Sequence, residues 1–477
     1  MARVLLASNR GPVSFAENGS GDLFLRRGSG GLVSGLMSAA SDNEAVWVCA
    51  ALGDADRRAA REAGGSGRID IAGYDTDGAR VRMLGIDPMT LHRAYNGVAN
   101  RTLWFLHHLL FNTATAPVFD ERFAREWAAF VDYDEAFAVA LAEEAAPCAV
   151  VSIHDYHLSL TPRMLRHVRP DLRIGHFSHT PWAPAMYFQL LPDSIAHDLL
   201  TGLLAADTVG FLCQRWADAF LECCAVLLGA RVEGDTVSHG GGRTRVRVHS
   251  LGVDAAGLRR RVAQPDVLAR AAVLRELVGD RKLILRIDRT EMSKNIVRGL
   301  AAYRELLRSH PEWHGRVVHL AFAYPSRHDL PEYREYTAAV QQMAGEIEDE
   351  FATPSWAPLV LEVNDDYPRS LAAYLLADVL VVNPIRDGMN LVAKEGVVLS
   401  ERDLALVLSR EAGAVYDLGG GALVINPYDV SGTAAALHTA LSMPAEERAA
   451  RRRLLVAGAT ASPPRQWLAG QLAELGA

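Results

Sequence analysis

Residues 379–395 read VLVVNPIRDGMNLVAKE. Val379 to Val382 is an unbroken β-branched and aliphatic run, as expected of a parallel strand buried on both faces. The segment from Leu391 onward reads as a helix. A glycine and polar residues therefore stand at a strand's carboxyl end, where the first amides of the next helix point outward and favour an anion. Asp387 precedes that turn and Glu395 follows eight residues later. A carboxylate, free amides and a second carboxylate beside an anion pocket suit chemistry on a sugar joined to a phosphate.

The same strand-then-helix alternation runs through the whole chain. Buried strands are expected at Val4–Ser8, Ala45–Cys49, Ala149–Ile153, Ile174–Ser178, Thr208–Phe211 and Val246–Leu251, with helices such as Leu158–Val168 and Gln214–Leu228 between them. A second series is expected at Lys282–Ile287, Val317–Ala323, Leu359–Leu361, Val379–Val382, Leu404–Leu408 and Leu423–Ile425. Such alternation implies parallel sheets covered by helices. The fold class is thus α/β, with two doubly wound, Rossmann-like domains facing each other across a cleft. Residues 1–253 form the first domain, with Gly252-Val253-Asp254 as hinge, and 254–460 the second. Pro463-Pro464 redirects a tail, 461–477, back onto the first domain. Ser238–Gly242 reads as a hairpin tip and Pro444–Ala459 as a helix.

At 477 residues the chain is too long for one core. Its apolar fraction is 49% and its formal net charge −8, which argues against nucleic-acid or anionic-membrane partners. Five cysteines without a CxxC argue against a disulfide framework or a zinc site. No apolar run reaches spanning length and the first residues read as a strand, so the cytoplasm is the expected compartment.

In doubly wound sheets ligands bind at the carboxyl ends of strands. Ser8-Asn9-Arg10-Gly11-Pro12 ends the first strand, and Arg10 offers a fork for phosphate. Gly28-Ser29-Gly30-Gly31 opens the next helix, where glycines let backbone approach a ligand. Ile153-His154-Asp155-Tyr156-His157 and His179-Thr180-Pro181-Trp182 end two further strands. Asp155 can meet sugar hydroxyls or act as a base. The spacing of His154 and His157, with one carboxylate, is a poor metal set. Arg289 and Lys294, five residues apart after the first strand of the second series, can converge on one diphosphate. Arg327 in Tyr324-Pro325-Ser326-Arg327 is another candidate phosphate ligand, and Tyr95 and Trp104 offer a hydroxyl and an aromatic wall.

Taken in order, SNR, GSGGL, YN…LW, HDYH, SHTPWAP, DR…SK, PSR and RDGMNLVAKE resemble trehalose-6-phosphate synthases, from about Arg3 to Asp429. That resemblance implies a retaining glucosyltransferase of GT-B architecture. It would make α,α-trehalose 6-phosphate from a nucleotide-sugar donor, UDP- or GDP-glucose, and glucose 6-phosphate. It implies Arg10, Tyr95, Trp104, Asp155 and Arg327 at the acceptor. At the donor it implies Gly30, Gly31, His179, Arg289, Lys294, Asp387, Gly388, Met389, Asn390, Leu391, Val392 and Glu395, with Glu395 on the ribose. Asp155, His179, Arg289, Lys294 and Asp387 would carry the catalysis, with no cofactor and no metal. A homo-oligomer is compatible with this reading.

Three departures stand out. The family's Arg-Leu-Asp-Tyr-Ser-Lys-Gly run is Arg289-Thr290-Glu291-Met292-Ser293-Lys294-Asn295 here. Val363–Pro368, where the family contacts the base, is about one residue short, which makes GDP-glucose a rival to UDP-glucose. Phe105 replaces a proline after Trp104. The alternatives are a relative that uses a cyclitol phosphate, as a pseudoglycosyltransferase does, or glycerol 3-phosphate, and a silent sugar-phosphate sensor.

Overall fold

The computed structural model describes residues 1–27, 36–37, 45–76, 78–327 and 329–476. Gly30 and Gly31 lie outside the described residues. The chain divides into two compact units, Met1–Leu251 with Pro464–Ala477, and Gly252–Pro463.

The first unit holds β1 (Ala2–Ser8), the hairpin β2 (Val13–Glu17) and β3 (Leu23–Arg27), β4 (Val46–Ala50), β5 (Arg80–Leu84), β6 (Ala145–His154), β7 (Arg173–Ser178), β8 (Thr208–Phe211), β9 (Arg231–Glu233), β10 (Thr236–His239) and β11 (Gly242–Val248). Apart from the hairpin they form one sheet in the order β5-β4-β1-β6-β7-β8-β11-β10-β9. The pairs from β5 to β11 are parallel, and β10 and β9 add an antiparallel edge. Strand order reverses between β1 and β6, the switch point where such sheets open for ligands. Central strands are apolar along their length: Leu5, Leu6, Ala7, Val46, Trp47, Val48, Val151 and Ile153 are fully buried.

The second unit holds β12 (Lys282–Arg289), β13 (Val317–Tyr324), β14 (Leu359–Glu362), β15 (Val379–Val382), β16 (Ala405–Ser409) and β17 (Leu423–Ile425). All pair parallel in the order β14-β13-β12-β15-β16-β17, with the reversal between β12 and β15. Ile284, Val379, Val381 and Val407 meet Ile296, Leu300, Tyr303 and Leu437 from covering helices in one core.

All strands expected from the sequence are present; β6 and β11 begin four residues before the expected Ala149 and Val246. The hairpin tip is formed by Gly240 and Gly241, both at positive φ. The sequence reading missed β2, β3, β5, β9 and β10. In β5, ARG-rich in pattern, Arg82 is buried rather than solvated. It survives burial because its guanidinium meets Glu143 at 2.6 Å and the Ala140 carbonyl at 3.2 Å. The helix Ala445–Thr460 is followed by a last helix, Pro464–Glu474, which belongs to the first unit.

Candidate active site

In the second unit, the loops after β12, β13 and β15 bring the expected cations and carboxylates together. Lys294 Nζ donates to Asp387 Oδ2 at 2.5 Å, and Asn390 Nδ2 donates to the same oxygen at 3.1 Å. Burial would lower the Lys294 pKa, but Asp387, Asp288 and Glu291 outweigh burial and Arg289 and raise it, so the ammonium stays charged. Asn390 sits at φ 78° and its Oδ1 caps the helix Leu391–Leu399 by accepting from the Ala393 amide at 3.2 Å. The Asp387 loop is pinned from behind. Its amide donates to the Glu411 carbonyl at 3.1 Å, and the Ala414 amide donates to the Met389 carbonyl at 2.8 Å. A Cβ on Gly413 would strike the Gly388 carbonyl, so only glycine permits this approach. Leu391 and Val392 open the helix, half-buried.

Glu395, one turn into that helix, is half-buried beside Tyr374, whose hydroxyl donates to Oε2 at 3.3 Å. Burial pushes its carboxyl up to about 7, against the Tyr374 hydrogen bond.

After β12 and β13 the centre of the charge network is Glu291, which is fully buried. Its Oε1 accepts from Ser326 Oγ at 2.8 Å and lies 3.0 Å from Arg289 Nη1 and 3.5 Å from Arg327 Nη1. Burial would raise its pKa, yet Arg289, Arg327 and Lys294 bring it down to about 2. Arg327 Nη1 also donates to the Tyr333 hydroxyl at 2.7 Å, with the guanidinium over that ring.

Asn295 takes the left-handed conformation at φ 57°, which glycine would adopt freely and asparagine tolerates. Its Nδ2 donates to the Asn383 and Pro427 carbonyls at 3.0 and 2.8 Å. Beneath it Arg286, 1% exposed, donates to Asp288 at 2.7 Å, Asn383 at 3.0 Å and the Lys294 carbonyl at 3.2 Å. This network holds the turn that carries Lys294.

In the first unit, Arg10 is exposed just beyond β1. Neighbouring Asn9 is fixed by the Tyr133 hydroxyl, which donates to Oδ1 at 2.6 Å. Asp155 follows β6 at φ 75°. Its amide donates to the Phe177 carbonyl at 2.7 Å, and its Oδ1 accepts from the His179 amide at 3.3 Å. Asp155 makes no side-chain cap on the turn that follows it. His179 Nε2 lies 3.2 Å from His154 Nδ1, and His154 Nε2 lies 3.0 Å from Ser152 Oγ. Burial holds His154 well below its usual range, His176 at about 4 and His179 at about 3, so all three are neutral at pH 7. Trp467, from the last helix, packs its ring 5.6 Å from that of His179. Tyr95 lies in a wide helical segment, Arg93–Leu103, stacked on His157 at 5.6 Å. Trp104 is buried and stacked on His108 at 3.8 Å.

Asp155 and His179 thus meet after β6 and β7 in one unit, and Arg289, Lys294, Arg327 and Asp387 meet around Glu291 in the other, while Arg10 follows β1 and Glu395 lies one turn into the helix after β15. Asp155, Asn295, Arg327 and Asn390 are four of the seven described non-glycine residues at positive φ, the kind of backbone that collects at functional sites. The sequence reading gave no role to Glu291, Ser326, Tyr374, Arg286 or Trp467. Glu291 stood inside the altered run, where local spacing gives no sign that Arg289 and Arg327 converge on it.

Among the described residues one group has metal-ligand chemistry, His310, Glu312 and His438. It lies past the end of the helix Ile296–Ser309, remote from the carboxyl ends of the strands. The two imidazoles stack at 3.7 Å, 9° from parallel, so their lone pairs run side by side rather than to one point. Trp313 Nε1 donates to His438 Nδ1 at 3.2 Å.

Residues 2–477 match the family described as glycosyltransferase family 20. A bifunctional trehalose-6-phosphate synthase/phosphatase of Thermoproteus tenax is 35% identical over 470 residues, 95% of this chain; the chain spans 60% of that protein's length. A UDP-forming α,α-trehalose-phosphate synthase of Aspergillus niger is 32% identical over 462 residues, 94% of this chain and 91% of that one. A solved structure described as trehalose-6-phosphate from E. coli bound with UDP-2-fluoro glucose matches with a TM-score of 0.86 and 26% identity over 99% of each chain. With its whole length matched and relatives above 30% identity, the chain belongs to glycosyltransferase family 20.

Proposed function

We propose that this chain is a retaining glucosyltransferase that moves glucose from a nucleoside-diphosphate glucose to glucose 6-phosphate, forming α,α-trehalose 6-phosphate. The observation that carries the reading is the Lys294–Asp387 pair, 2.5 Å apart at the switch point between β12 and β15, with Arg289 on the same loop. A carboxylate for sugar hydroxyls stands against cations for the diphosphate, the two ends of an activated sugar.

In this reading the bond from the anomeric carbon to the diphosphate breaks and the bond to the acceptor oxygen forms on the same face. The departing phosphate oxygen takes the acceptor hydroxyl proton. Arg289 and Lys294 meet the charge that grows on the leaving diphosphate, which is where fixed cations lower a barrier. Asp387 orients the donor sugar with backbone donors at Gly388, Met389 and Asn390, and amides of Leu391 and Val392 face the phosphate. Gly30 and Gly31 add backbone contact to the diphosphate, and Glu395 accepts from the ribose. His179, neutral and held by His154, contacts the donor glucose. Asp155 meets the acceptor sugar near the reacting hydroxyl, Trp104 walls it, and Arg10, Tyr95 and Arg327 take its phosphate. The first unit is then the acceptor-binding domain and the second the nucleotide-sugar domain.

UDP-glucose is the donor to which the relative's UDP-forming name points. GDP-glucose is a second reading, favoured by the short Val363–Pro368 segment. There Asp366 is occupied by Arg270, at 2.7 and 2.8 Å, while Asp365 is exposed, and a carboxylate suits the paired donors of guanine. Arg327→Ala tests the acceptor side: the KM for glucose 6-phosphate should rise about tenfold or more, as for loss of a charge-assisted bond. An unchanged KM would remove Arg327 from the phosphate site.

A further inference from the structure

Arg289 and Arg327 reach the site from different loops, after β12 and after β13, yet both turn to one oxygen. That oxygen is Oε1 of Glu291, at 3.0 Å from Arg289 Nη1 and 3.5 Å from Arg327 Nη1, with Ser326 Oγ donating to it at 2.8 Å. The carboxylate has no exposed surface, whereas half of the Arg289 side chain is exposed. The other oxygen, Oε2, is buried without a hydrogen-bond partner among the described residues. A buried carboxylate left half-satisfied is costly. Glu291 stands at the start of the turn Met292–Lys294, where its carbonyl accepts from the Lys294 amide at 3.0 Å, but its carboxylate makes no cap hydrogen bond; the carboxylate meets the two arginines and the serine that precedes one of them.

We propose that Glu291 is a positioning residue, the shared pivot that aims the donor-side Arg289 and the acceptor-side Arg327 and fixes the spacing between the two anions they hold. This rests on the functional reading above for the identity of those anions. Glu291 itself touches neither substrate. Its negative charge competes with the ligands for the arginines, so it weakens binding while improving aim. A residue that merely supported the fold would not give that combination. An aspartate at this place would keep the charge on an arm one methylene shorter.

The test compares wild type, Glu291→Gln and Glu291→Asp in two measurements. One is calorimetric binding of inorganic pyrophosphate, which is independent of the nucleobase. The other is turnover at saturating donor and glucose 6-phosphate. In Glu291→Gln, pyrophosphate should bind about threefold tighter, because a buried opposing charge is gone. Its kcat should fall about tenfold or more through lost alignment. Glu291→Asp should return kcat to within about threefold of wild type. Pyrophosphate binding that is unchanged or weaker in Glu291→Gln overturns the proposal. So does a Glu291→Gln kcat within about threefold of wild type, or a Glu291→Asp kcat as low as that of Glu291→Gln. If wild type transfers no glucose, the functional reading fails, and the pyrophosphate comparison still decides the pivot.

Discussion

Glu395 is the candidate site carboxylate whose chemistry is most open to pH. Its carboxyl is pushed up to about 7 by burial, so near neutrality it is divided between acid and carboxylate. A ribose that donates two hydroxyls prefers the carboxylate, which accepts on both oxygens. The linkage sign follows: a ligand that prefers the ionised form binds more tightly as pH rises through 7. Nucleoside-diphosphate affinity should therefore fall about tenfold from pH 8 to pH 6 in wild type. In Glu395→Gln the slope should flatten to that of the nucleotide's own phosphate. Calorimetry on both proteins checks this, and an equal slope in the variant would contradict it. At this scale the sequence was informative wherever chemistry is carried by residue type at a strand end: Arg10, Asp155, Arg289, Lys294 and Asp387 could be picked out because polar residues there have little structural reason to exist. Glu291 and Tyr374 could not, since their importance lies in burial and in which partner they face, and neither is written in local spacing.

At the scale of elements, the last helix, Pro464–Glu474, has the least expected consequence. Trp467, 1% exposed, sits edge-on to Phe177 at 4.9 Å and donates from Nε1 to the His249 carbonyl at 3.0 Å. It packs against His179 and His154 as well. The helix therefore forms part of the wall behind a candidate site residue far from it in sequence. Trp467→Ala should cost about 3–5 kcal/mol, the range for a buried aromatic. It should also loosen His179, read as broadened imidazole NMR signals of that ring. A stability loss under about 1 kcal/mol would contradict the packing argument. The sequence signalled this helix by the Pro463-Pro464 break, but not the face it buries. The same limit applies to strands. β15 was legible because both its faces are apolar, whereas β5 was lost because Arg82 hides in an ion-paired pocket that only Glu143 and Glu144, distant in sequence, explain.

At the scale of the whole molecule, both sheets reverse strand order where their candidate residues cluster, and the first unit carries a pH liability with them. His154, His176 and His179 are neutral when folded because burial disfavours their charged forms. Once unfolded, each would take a proton below its ordinary value of about 6.5. The unfolded chain then binds more protons, so stability is present above about 6.5 and is lost as pH falls toward about 4. Denaturant melts between pH 7 and pH 4.5 should show the first unit losing stability steeply. His176→Asn should soften that slope, and a slope unaltered by the substitution would assign the acid sensitivity elsewhere. The two-unit α/β organisation was readable because strand and helix periodicities alternate down the chain. The membrane question has a narrower answer: among the described residues no helix is long and apolar enough to cross a bilayer.

Glucosyl transfer to a sugar phosphate is the activity on which every role above depends. It is tested most directly by measuring nucleoside-diphosphate release from UDP-, GDP- and ADP-glucose, each with and without glucose 6-phosphate, with the product identified by NMR. The account predicts release that requires glucose 6-phosphate and yields an α,α-linked disaccharide phosphate, with the preferred donor naming the base. No acceptor-dependent release from any of the three, or a product of another linkage, would contradict it.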